Sequence, residues 1–124
     1  MNPFLRVAMF VVVLGSVHLT RMGMANGSSL SAGTYQVRVT DDLPASGVGQ
    51  SPGAERWVEF LQGGKVVGRE VASVISAGDM GAIAKGARPA ANRSLVQTLK
   101  GGDYVRIWIN KDSVNYLINL KTSR

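Results

Sequence analysis

From Gly33 to Thr40 every second residue is apolar. Tyr35, Val37 and Val39 share one parity, and Gln36, Arg38 and Thr40 the other. A period of two describes a strand with one buried and one solvated face. Two more β-rich runs, Arg56–Gln62 and Lys65–Ile75, flank Gly63-Gly64. A glycine pair between such runs predicts a two-residue hairpin turn, with Phe60 facing Val67 and Leu61 facing Val66. Gly68 predicts a bulge or a close backbone approach in the second run. In the unbulged register Glu59 and Glu70 share a face with Trp57 and Leu61.

The last third reads as three strands, Arg93–Lys100, Asp103–Asn110 and Ser113–Lys121. Their bends fall at Gly101-Gly102 and Lys111-Asp112. A tip at Lys111-Asp112 pairs Ile109 with Val114, Ile107 with Tyr116 and Val105 with Ile118, so the inward pairs are apolar. Between the β units, Asp41–Glu55 is rich in Pro, Gly and Ser and predicts a long flexible loop. Ser76–Pro89 breaks the alternation. Ser76 with Asp79 resembles a capping box, and Met80, Ile83 and Ala84 fall on one helical face, which predicts one short helix. The expected fold is mainly β: about six mostly antiparallel strands in a small sandwich or partly open barrel, with one short helix in the crossover.

The N-terminus has a different pattern. A short basic start ending at Arg6 precedes an almost wholly apolar run, Val7–Val17, and small residues follow at Gly23 and Ala25. That order describes a secretory signal peptide over residues 1–25, cut after Ala25. Ser16–Met24 is long for a cleavage region. The apolar run is too short for a transmembrane helix, which needs about 20 residues, so no membrane anchor is expected after cleavage. Asn26–Ala32 reads as a polar lead-in to a single domain, residues 26–124. The expected location is exported, periplasmic or extracellular.

This boundary changes what the composition means. Removing the first 25 of 124 residues leaves 99, and the loss of Arg6 and Arg21 takes the net charge from +6 to +4. The remaining basic residues are scattered, whereas nucleic-acid proteins cluster them, so no specific nucleic-acid partner is expected. The chain has no Cys, hence no disulfide, and its one histidine, His18, lies in the segment read as a leader. A domain with neither His nor Cys has no Ser-His-Asp triad, no Cys-His pair and none of the usual zinc, copper or haem ligands. No catalytic residue, metal site or cofactor is therefore assigned. Carboxylate chemistry is what remains, with Glu59 and Glu70 as a possible hydrolase pair.

One surface stands out. Tyr104, Arg106 and Trp108 alternate with the apolar Val105, Ile107 and Ile109, and on the next strand Asn115, Leu117 and Asn119 take the same face. The expected register sets Trp108 opposite Asn115, Arg106 opposite Leu117 and Tyr104 opposite Asn119. Interleaved aromatic, cationic and amide groups can stack on and hydrogen-bond to sugars or unstacked bases. A two-residue loop at Gly101-Gly102 adds Leu95 and Leu99 to this face and makes it a second core or an oligomer contact. A one-residue bulge there leaves a mixed surface open to a ligand. The functional expectation is an exported, non-enzymatic β domain acting in protein interaction or self-association, or in a structural or envelope role. The alternatives are a module binding glycans or other anionic polymers, and a small carboxylate-dependent hydrolase.

Overall fold

The computed structural model describes residues 12–40, 55–76, 89–99 and 102–122. These hold nine strands: β1 (Val12–Leu19), β2 (Gly23–Ala25), β3 (Ser28–Leu30), β4 (Gly33–Val39), β5 (Glu55–Gln62), β6 (Lys65–Ser76), β7 (Arg93–Thr98), β8 (Tyr104–Lys111) and β9 (Val114–Thr122). All six expected strands are present within one or two residues at each end, and three more precede them. The expected loop, Asp41–Glu55, and helix segment, Ser76–Pro89, lie mostly outside the described residues; Glu55 and Ser76 themselves belong to strands. Among the described residues no helix is long and apolar enough to cross a membrane.

Every ladder is antiparallel, and the long strands follow the order β1-β4-β5-β6-β9-β8-β7. The sheet curls until β1 lies beside β7 and β8, where Ser94 Oγ donates a hydrogen bond to the Ser16 carbonyl at 3.2 Å. No ladder joins β1 to β7 among the described residues, so the sheet stays open along this seam. Antiparallel sheets that curl this way bury one face and solvate the other, which is what the period of two requires.

The inner face carries the core. Val17 and Leu19 of β1, Tyr35 and Val37 of β4, Val58 and Phe60 of β5, Ile107 and Ile109 of β8, and Ile118 and Leu120 of β9 are all buried together. Tyr35 meets Phe60 edge-to-face, with ring centroids 6.4 Å apart, and its hydroxyl donates to the Ser31 carbonyl at 2.6 Å. That bond satisfies the one polar atom of a large buried side chain.

The two hairpin registers correct the sequence reading in different ways. At Gly63-Gly64 the expected two-residue turn forms, and Leu61 faces Val66. A bulge then follows, so Phe60 faces Gly68 and not Val67. Gly68 also meets the close approach expected of it. A Cβ there would lie 3.0 Å from Leu30 Cδ2 and 3.4 Å from the Ala25 Cβ. In the last hairpin the tip is Asp112-Ser113, not Lys111-Asp112. Both residues have positive φ, 50° and 66°, as a type I′ turn requires. Ile109 therefore faces Tyr116, Ile107 faces Ile118 and Val105 faces Leu120. A slip of two residues keeps every side chain on its face, so the inward pairs are still core residues.

The extra strands come from the N-terminal segment. β1 pairs with β4, while β2 and β3 form a tight hairpin turned by Asn26-Gly27. β2 also pairs with the end of β9, through Gly23 to Thr122 and Met24 to Lys121. This hairpin fills the place where β6 and β9 splay apart below the Ala72–Ile118 pair.

Candidate functional site

The outward face of β8 and β9 holds the residues singled out from the sequence. Tyr104, Arg106 and Trp108 do share a face with Asn115, Leu117 and Asn119, but the two-residue slip changes their partners. Trp108 sits opposite Leu117, Arg106 opposite Asn119, and Tyr104 opposite Lys121. The physical reason is the turn. Parity comes from local alternation, whereas the offset depends on which two residues take left-handed backbone.

These residues divide into two groups. Trp108 and Asn115 are buried, at 3% and 5% exposure, and Trp108 Nε1–H donates to Asn115 Oδ1 at 2.7 Å. The pair satisfies two polar groups out of contact with water, which is a structural role. Tyr104 is 44% exposed. Near it Arg106 Nε donates to Asn119 Oδ1 at 3.4 Å, with the exposed Lys121 beyond. This second group is an accessible patch of one phenol, two cations and an amide. Leu117 is half-buried between the two groups.

The face continues onto β7, as one of the two sequence arrangements had it, and onto β6 and β5, which sequence pattern did not connect to it. Leu95 of β7 pairs with Trp108 and so takes the Trp108 face, the first of the two arrangements weighed from the sequence. Leu117 pairs on its other side with Ser73 of β6, beside Val71, which faces Trp57 of β5. Leu95, Leu117, Val71 and Trp57 are each half-buried on the outside of the sheet. Arg69 lies over the Trp57 ring at 4.4 Å, a cation–π contact. The signal for Trp57 was available in the alternation of β5. Its place beside the Leu117 group was not, because the β6–β9 pairing joins strands far apart in sequence.

The two carboxylates considered for catalysis do not meet. Glu59 faces Arg69 and Glu70 faces Val58, so they lie on opposite faces of the sheet, contrary to the unbulged expectation. The bulge at Val67, just before Gly68, is the cause, since one extra residue inverts the parity of all that follows. Each carboxylate is already engaged. Glu59 Oε1 takes Arg38 Nε at 2.7 Å, and Glu70 accepts the Asn26 N–H at 2.7 Å and its neighbour's, Val71, at 3.0 Å. Tyr116 has its phenol pushed above the ordinary value of 10.0, mainly by burial, with Asp112 adding to the rise and Arg56 opposing it.

Comparison of the chain with protein-family models, curated proteins and solved structures returns no match.

Proposed function

We propose that this chain is an exported β domain that works by protein contact, in a structural or envelope role, and not by catalysis. The observation that carries the reading is the outward row of half-buried apolar side chains, Leu95, Leu117, Val71 and Trp57, around buried Trp108. The inner face already has its core, so this row gains from a second covering. A second copy of the chain is the partner this reading commits to, because a small domain without disulfides gains stability by association. Export to the periplasm or the extracellular space rests on the leader-like order at the N-terminus.

Light scattering of the full chain beside Leu117→Lys and Trp108→Ala tests it. A dimer or larger species that Leu117→Lys converts to a folded monomer is expected. A wild-type chain that stays monomeric at high concentration ends the self-association reading.

A second reading has its own support in the exposed Tyr104, Asn119 and Lys121 and the half-buried Arg106. An aromatic ring beside two cations and an amide suits a glycan, and an anionic one best. Calorimetric titration with a sulfated and a neutral glycan, repeated with Tyr104→Ala, tests it. Binding that weakens with salt and with the substitution is expected. No heat with either glycan removes this alternative.

A further inference from the structure

We infer that Val12–Ala25 is a permanent part of the folded domain, and that the chain is not processed at the Ala25–Asn26 bond. This goes beyond the binding role and does not depend on it. It takes Val12–Val17 out of any cleaved leader and so competes with the export reading, which rests on that apolar run, while leaving the proposed contact surface unchanged.

The segment has the contacts of a core element. β1 forms a ladder with β4 from Val12–Val39 to Leu19–Gly33. Leu14, Val17, Leu19 and Ala25 are buried at 5%, 3%, 1% and 0% exposure, all in the main core. Burial of several aliphatic side chains supplies a large share of what holds a small domain folded. Losing them would strip β4 of its outer partner and expose Tyr35, Val37 and Phe60.

The fit is specific on both sides. Gly23 lets β2 lie on β9, because a Cβ there would fall 3.0 Å from Leu120 Cδ1. From the other side Gly68 makes room for Ala25 and Leu30. The bond expected to be cut lies at the first residue of the β2–β3 turn, where Asn26 and Gly27 have φ of 46° and 88°. The carboxylate of Glu70 holds the Asn26 N–H of that turn. A leader peptidase meets its substrate before folding, so burial alone would not protect this bond. What counts against the cut is the product, a sheet lacking one edge and part of its core.

The sequence is consistent with this. From Ser16 the residues alternate, with Ser16, His18 and Thr20 outward and Val17 and Leu19 inward. This alternation accounts for a stretch too long for a cleavage region.

The test is the intact mass of the full chain recovered from the soluble fractions of a bacterial host, together with thermal unfolding of chains starting at Val12 and at Asn26. A soluble product starting at or before Val12 is expected. The Val12 chain should melt cooperatively like the full chain, and the Asn26 chain should show no cooperative transition. A soluble, folded product starting after Val12 overturns the inference. So does an Asn26 chain that melts like the full one.

Discussion

Single side chains here act through their partners more than through their own chemistry. Trp108 and Asn115 show this most directly. Asn115→Leu removes the acceptor and leaves a buried indole N–H unpaired, which costs about 1–3 kcal/mol. Adding Trp108→Phe removes the donor as well, and the double variant is expected to recover part of the loss. Urea unfolding midpoints of the two variants check the order. Tyr116 gives a pH-dependent case. Its folded-state pKa is raised, chiefly by burial, so above pH 10.0 the unfolded chain releases this proton before the folded one does. Stability from this group is intact below that pH and falls as pH rises through the raised value. Tyr116→Phe should remove a late phenol titration from the alkaline absorbance and flatten the alkaline fall in melting temperature.

At the scale of elements, turns decide what alternation leaves open. The β8–β9 turn places Ser113 at φ 66°, a conformation that side chains with a Cβ adopt at some cost. Ser113→Gly is expected to raise stability by about 0.5–1 kcal/mol, read from the denaturation midpoint, with the Ile109–Tyr116 pairing unchanged. The same element shows what was legible in the sequence. Face membership of Tyr104, Arg106, Trp108 and their neighbours was legible, because a period of two is local. Their partners were not, because Lys111-Asp112 and Asp112-Ser113 are both polar pairs and only backbone conformation separates them. Gly68 announced a bulge, but not that the bulge would carry Glu70 to the face opposite Glu59. β1 was hidden for another reason. An apolar run after a basic start is what a leader needs, and it is also what an edge strand over a filled core needs, so composition alone cannot separate them.

For the whole molecule, the open seam sets the expectation for where local opening begins. β1 and β7 meet without a ladder, and the side-chain bond from Ser94 to the Ser16 carbonyl spans them. Amide hydrogen exchange is expected to be fastest along the outer edges of β1 and β7 and slowest in β5, β8 and β9. Uniform protection across all of these strands would contradict an open sheet. Half of the fold is a local meander, β1-β4-β5-β6, and the other half is β7-β8-β9. The long strands of the two halves are joined by the single ladder of β6 on β9. Each half pairs strands that are near neighbours in the chain, while the junction closes over a much longer stretch. In kinetic terms, hairpins within the halves are cheap to nucleate and the β6–β9 junction is the entropically expensive event. Substitutions at Ala72 or Ile118 should therefore slow refolding, and those at the edge strand β1 should chiefly speed unfolding.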